Sequence, residues 1–309
     1  MWKYIGKRLL ALIPIVLIMS ILVFGLSQLS AGDAARVLAE QRNEHPTPQE
    51  IEAARKEYGL DQPLYKQYAN WLSKICHGDF GESYQTRKPA LQEVRERLPV
   101  TIKLAVTAFL LLLVVAIPLG VLSAVYENKW LDKIIQIFSF FSVSMPSFWI
   151  GLMLLYLFGV KWKMISVIGG NAQNVPILAA ITLDMGYFGV LIRLMRTNLS
   201  EVLKKGYIRA AKAKGISGFW VVIKHGMKNA ILPVITQMSN MCVGLLCGSA
   251  VIESIYSLQG VGNLSLQAVY TKDLPVLQCF ILLITCFVVV MNLLIDILYS
   301  VIDARIQLS

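Results

Sequence analysis

The chain has 309 residues, 56% of them apolar or aromatic and only 16% charged, with a mean hydropathy of +0.61. Charge is absent from five runs of 22 residues or more, 9–32, 104–126, 134–160, 229–252 and 274–295, whereas soluble domains are about a quarter charged and a bilayer-spanning helix needs roughly 20 apolar residues. A soluble enzyme and a disordered or fibrous chain are thereby excluded, and the net charge of +10 points first to loop topology rather than to nucleic acid.

The first apolar run follows Lys3, Lys7 and Arg8. It outlasts the roughly 7–15 residues of a signal-peptide core, so residues 1–29 predict a cytoplasmic N-terminus and a first transmembrane helix. Residues 30–98 are the one long polar stretch, with ten basic and eleven acidic residues. That near-neutral balance fits the outer side of the membrane. Thr47, Pro48 and Glu50 stand at the N-cap, first and third positions of a helix that runs to about Tyr58 and stops at Gly59. Pro63 opens a second helix through Trp71 to Ile75. The stretch therefore reads as a helical extracytoplasmic insertion.

Residues 99–309 predict a core of five further spans. One fits 99–125, opened by Pro99. After a short turn, Glu127–Lys133, the next covers 134–160 and is expected to kink at Met145-Pro146. Lys161–Gln173 is an outer loop, and the fourth span, 175–194, holds Asp184 and Arg193. Spans five and six fit 230–252 and 274–300, joined by a polar outer segment, Glu253–Leu274, with Gly260 and Gly262. Asp303–Ser309 returns to the cytoplasm. The expected fold is all-α, a polytopic membrane protein of six transmembrane helices with both termini inside.

The loop at 195–229 supplies most of the charge. It carries Arg196, Lys204, Lys205, Arg209, Lys212, Lys214, Lys224 and Lys228 against Glu201, a net of +7, and so is cytoplasmic by the positive-inside rule. Small residues at Ala210, Ala211 and Ala213 allow close helix approach. Gly215 suits a helix C-cap, and Ile216–Ile223 suits a second short amphipathic helix. Two short helices meeting at a glycine make a compact knob. On composition alone, a loop that only fixes topology or touches anionic lipid fits as well.

Ionisable residues inside spans tend to face the bundle or a pathway. Asp184 reads either as a polar lining for a cationic substrate group or as a helix–helix partner, for instance of Arg193. Glu253, at the end of span five, and Met145-Pro146 are further pathway candidates. Asp296, one turn after Asn292, reads as structural. His45, His77, His225 and Cys76 form no clear first shell for a metal; the other four cysteines, Cys242, Cys247, Cys279 and Cys286, lie in apolar runs as small hydrophobes. No catalytic constellation stands out, and no Gly-x4-Gly-Lys-Ser/Thr loop for ATP is present.

The basic loop resembles the signature of bacterial ABC importer permeases. Arg209-Ala210-Ala211 stands at the family's Glu-Ala-Ala triplet, Gly215 at its glycine and Leu232-Pro233 at its closing pair. Arginine in place of glutamate is familiar in the dipeptide/oligopeptide/nickel branch, which the chain resembles along its whole length. The matching stretches are Tyr58–Leu64 with Gln67-Tyr68 and Trp71-Leu72, Gly78–Gly81 with Ser83, Ser144–Trp149, Gly260–Gly262 and Asp273–Val276. Within the branch it is similar to the permease with a large outer loop after its first span.

The resemblance implies type I ABC importer permease architecture in a bacterial inner membrane. It implies a second homologous permease, two cytoplasmic ABC ATPases carrying ATP and Mg, and an extracytoplasmic substrate-binding protein. The chain itself would bind no cofactor or metal, would contact lipid but no nucleic acid, and would not be an enzyme. Arg209, Ala210, Ala211, Lys212, Ala213, Lys214, Gly215 and Ile216 would couple ATPase motion to the spans. The substrate would be nickel, a nickel chelate or a short peptide. Leu60–Tyr65 and Pro275–Phe280 tilt toward the metal members, whose wording the dipeptide members nearly share. An ion-driven secondary transporter often shows inverted repeats, and none is visible here. A membrane enzyme would need catalytic carboxylates or metal ligands at one depth.

Overall fold

The computed structural model describes residues 2–30, 34–40, 43, 45–164 and 175–302. In chain order its helices are α1 (Trp2–Ser30), α2 (Ala34–Glu40), α3 (Pro48–Glu57), α4 (Leu64–Cys76), α5 (Ala90–Val125), α6 (Trp130–Ser144), α7 (Ser147–Leu155), α8 (Val175–Leu203), α9 (Gly206–Ala213), α10 (Gly218–Trp220), α11 (Lys228–Ile255), α12 (Val261–Tyr270) and α13 (Leu274–Ile302). Residues 1–99 with 259–309 form one compact unit and residues 100–258 another.

In the first unit the insertion is helical as its capping residues predict. Thr47 Oγ1 accepts the Glu50 N–H at 3.3 Å, and the Glu50 carboxylate accepts the Thr47 N–H at 2.7 Å, closing a capping box. Those bonds from Thr47 hold the Glu50 carboxyl below its usual range. At the other end Gly59 takes φ +66°. The Leu60 N–H reaches the Arg55 carbonyl and the Gly59 N–H that of Lys56, the double bond of a glycine-terminated helix.

α4 lies on α1 through an aromatic cluster, Phe24 being 5.5 Å from the rings of both Tyr68 and Trp71. Ser20 and Tyr68 share a 2.7 Å hydrogen bond, and Trp71 Nε1 donates to Gln278 of α13 at 3.0 Å. The insertion is thus tied to the first and last long helices. The segment expected to be merely polar, 253–274, holds α12. Its Val261, Leu264 and Ala268 pack with Ala90 and Val94 of α5 and Val276 and Cys279 of α13, a helical spacing the glycines of the segment mask.

In the second unit α8 is central. Leu191, Ile192, Met195 and Leu199 are fully buried beside Leu112 and Ala116 of α5 and Val234 and Met241 of α11. Lipid is as apolar as leucine, so close packing and polar contacts hold such helices together. Gly120 serves this, since a Cβ there would come 2.6 Å from Met195 Cβ.

Several boundaries differ from expectation. α5 begins at Ala90 and runs through Pro99 rather than starting there. The turn that leads in is fixed by Gln92 and Glu93 N–H bonds to the Pro89 carbonyl. The kink at Met145-Pro146 is a full break: α6 and the α7 segment meet at 100°. Met145 is extended, φ −93° and ψ 132°, as the residue before a proline is driven to be. α8 continues to Leu203, so Arg196 and Glu201 are helical rather than in a loop. The short helix expected at 216–223 is instead the entry of the fifth span. α10 passes through a π-helical stretch, Val221–Met227, straight into α11.

Four helices among the described residues are long and apolar enough to cross a membrane, and the bent pair Trp130–Ser144 with Ser147–Lys161 makes a fifth. α1 carries a shorter apolar stretch, Ile13–Gln28, where the first span is expected. Most of the outer loop expected at 161–173, the terminus Asp303–Ser309 and the side chain of Asp296 lie outside the described residues.

Candidate functional site

The basic loop resolves into one short helix slung between two long ones. α8 ends in a turn in which Lys204 N–H bonds the Glu201 carbonyl and Lys205 N–H that of Val202. α9 then runs Gly206–Ala213 with Ile208 and Ala211 buried. They form a small core with Val221, against which Leu203 and Ile216 pack. Gly215 takes φ +81°. Its N–H bonds the Lys212 carbonyl at 3.0 Å, and the Ile216 N–H bonds that of Ala211 at 3.4 Å. This is a Schellman stop, with Ile216 folding back onto the helix it ends.

The eight residues singled out in sequence therefore do two jobs. Ala211, Gly215 and Ile216 shape the knob, while Arg209, Ala210, Lys212, Ala213 and Lys214 face outward. Beside them stand Tyr207, Phe219 and Trp220, 42%, 68% and 56% exposed, the last two rings meeting edge-on at 5.6 Å. The exposed surface is cationic and aromatic at once. Two polar contacts fix the knob to the spans. Asn229 Nδ2 donates to the Tyr207 hydroxyl at 2.9 Å, and Lys204 Nζ lies 3.0 Å from the Glu127 carboxylate in the α5–α6 turn.

The pathway candidates are separate from the knob. Met145 is half-buried and Pro146 exposed at the break between α6 and α7. Asp184, in α8, is fully buried, and neither carboxylate oxygen has a hydrogen-bond partner among the described residues. The pairing with Arg193 does not form: Arg193 Nε donates to the Gly189 carbonyl one turn back, and its guanidinium lies 5.4 Å over the Phe140 ring. Glu253 is also fully buried and accepts from Thr101 at 2.7 Å and Ser249 at 3.0 Å. Among the described residues no group of three or more His, Cys, Asp or Glu is placed to hold a metal ion; His77 Nδ1 lies 2.8 Å from the Ser73 carbonyl, and Cys76 is exposed.

Sequence reasoning missed Asp132. Its carboxylate is 1% exposed and collects Ser123 Oγ at 2.5 Å, the Asn128 N–H at 2.8 Å, Gln136 Nε2 at 3.0 Å and both Nε and Nη2 of Arg196 at 2.8 Å. Asp132 and Gln136 stand one turn apart on a helix, but nothing local marks the pairing with Arg196. Arg196, counted toward the loop's charge, is neutralised there.

Residues 116–308 match the family described as binding-protein-dependent transport system inner membrane component, and residues 1–105 its N-terminal companion. Glutathione transport system permease proteins GsiC of Shigella boydii serotype 4 (strain Sb227) and Escherichia coli (strain K12) are each 36% identical over 307 residues, 99% of this chain and 99% of theirs. Among solved structures, inward-facing MetNI methionine ABC transporter matches with a TM-score of 0.58 at 18% identity, over 68% of this chain and 96% of that one. An amino acid ABC transporter with histidines matches at 0.50 and 17% identity, over 70% and 94%. Both likenesses concern the fold, which is that of type I ABC importer permeases.

Proposed function

Because the chain belongs to the binding-protein-dependent transport system inner membrane components, and among them to the peptide, nickel and glutathione ABC importer permeases, we propose that it forms, with a second homologous permease, a membrane pathway for short peptides. It is a multi-pass ABC importer permease subunit of the inner membrane. The full-length likeness to glutathione permeases favours a peptide cargo over nickel. A buried carboxylate at Asp184 with no hydrogen-bond partner among the described residues suits the ammonium group of such a cargo when the spans separate.

The observation that carries the coupling role is α9. A glycine-stopped helix, bolted to α11 through Asn229–Tyr207 and to the α5–α6 turn through Lys204–Glu127, presents cationic and aromatic side chains outward. A surface so built can receive a push from a docked ATPase and pass it to several spans at once. ATP and Mg then reside on two partner ATPases, the chain binds no cofactor, and both termini lie with α9 in the cytoplasm. The insertion, held on α1 and α13 outside, receives the substrate-binding protein.

The test is uptake by the complex purified with its operon-encoded partners and reconstituted into vesicles. Labelled glutathione or a dipeptide should enter in an ATP-dependent manner and nickel should not. Co-purification of no ATPase would sink the importer role, whereas nickel uptake without peptide uptake would overturn the cargo alone.

A further inference from the structure

The Ser83 segment, the start of α5 and the turn between α12 and α13 line a partly open cavity of about 230 Å³. Two groups of opposite charge line it, the buried Asp273 and the partly exposed Arg97, and among the described residues each has a buried atom without a hydrogen-bond partner: Asp273 Oδ1 and Arg97 Nη1. Asp273 is only 3% exposed. Its other oxygen is committed, accepting from Ser83 Oγ at 2.5 Å and from the Gln85 N–H at 3.4 Å. Its own N–H is fixed to the Ala268 carbonyl at 2.8 Å. The Arg97 guanidinium is likewise half used, with Nη2 lying 3.5 Å from the Glu93 carboxylate.

Leaving buried atoms of charged groups short of partners is costly, so the cavity suits something that donates to a carboxylate and accepts from a guanidinium. Its remaining wall includes Leu264, Ala268 and Val276. Cavities of about 150 Å³ already take up benzene, so this one has room for a small organic molecule. We infer that the cavity between Arg97 and Asp273 is a binding site for a free α-amino acid with a small side chain. The ammonium meets Asp273 Oδ1, the carboxylate meets Arg97 Nη1, and the side chain rests on Leu264, Ala268 and Val276. An occupant would clamp the Ser83 segment, α5 and the α12–α13 turn together.

The test uses the full chain in lipid nanodiscs and equilibrium dialysis with labelled alanine. Saturable binding of one equivalent is expected, competed by serine and valine but not by equal acetate or methylammonium. Asp273→Asn keeps an oxygen for Ser83 yet removes the charge, and should weaken binding at least tenfold. Arg97→Gln should do the same and, at a side chain 23% exposed, decides the matter if the first variant does not fold. Absence of saturable binding for alanine, serine and valine would show that the cavity holds only water. Binding that survives Arg97→Gln would overturn the assignment equally.

Discussion

Asp132 receives two 2.8 Å hydrogen bonds from the guanidinium of Arg196, 64 residues further along the chain, and so fixes the first turn of α6 to the last turns of α8. A two-pronged pair of this kind depends on the planar fork of arginine. Removing one partner strands the other charge in a nearly sealed site. Arg196→Ala should therefore destabilise the protein by about 3–5 kcal/mol, and Arg196→Lys should restore only part of that. In a double-mutant cycle with Asp132→Asn, measured by thermal unfolding, the two losses should fall well short of additive.

Gly215 is the point on which the α9 knob turns. No atom of the described residues lies within 4 Å of where its Cβ would be, yet its φ is +81°. The obstacle to a side chain is thus backbone strain rather than space, of the order of 1–3 kcal/mol for a non-glycine residue. Gly215→Ala should leave the protein in the membrane and reduce uptake per ATP hydrolysed, and Gly215→Pro should uncouple the two. Gly215→Asn should be milder than alanine, since asparagine visits this conformation more readily. Equal uptake-to-hydrolysis ratios in all three would refute the coupling role.

How much of this was legible in the sequence follows from where the signals are local. The Thr47–Glu50 cap, the stop at Gly59 and the C-cap at Gly215 each depend on a few adjacent residues, and each was readable; at Pro146 the place of the bend was readable but not that it breaks the helix. Asp132–Arg196 was not, because a pairing over 64 residues leaves no periodic trace. The end of α8 was misjudged because charged residues in its last turns read as loop, although a helix leaving the bilayer can carry them. The α10–α11 continuity was hidden for a related reason: a π-helical stretch, Val221–Met227, absorbs the irregularity that sequence reading assigned to a break.

Asp184 separates stability from transport. A carboxyl buried without a hydrogen-bond partner costs folding free energy of about 1–3 kcal/mol. Asp184→Leu should raise the unfolding temperature of the purified protein while cutting uptake at least tenfold. A more stable protein with undiminished uptake would remove Asp184 from the pathway.

Tyr84, in the segment between α4 and α5, gives a pH signature. Burial, with the nearby charge of Asp273, pushes its phenol from 10.0 up to about 12. The folded state thus holds the proton more tightly than the unfolded one. Its contribution is complete below pH 10 and is lost as the pH rises from 10 to about 12. Plotted against pH, the stability difference between wild type and Tyr84→Phe should be flat below 10 and change across that window. A constant difference up to pH 12 would show that the phenol is not buried as described.

The packing of α6 on α8 offers the last test. At Gly189 a Cβ would run into the Ser139 carbonyl oxygen, and it would also come 2.6 Å from Ser142 Oγ and 2.7 Å from Val143 Cγ2. The first obstacle is backbone, which cannot turn aside as a side chain can. Gly189→Ala must therefore push the two helices apart. Overpacking of this kind costs about 1–3 kcal/mol, and in lipid no hydrophobic gain from burial compensates. The shift should reach Asp132, on the same helix as Ser139, and lengthen its reach to Arg196. Combining Gly189→Ala with Arg196→Ala should then cost less than the sum of the two in thermal unfolding. Strict additivity would mean that α6 yields locally around residue 189 and that its two anchor points on α8 act independently.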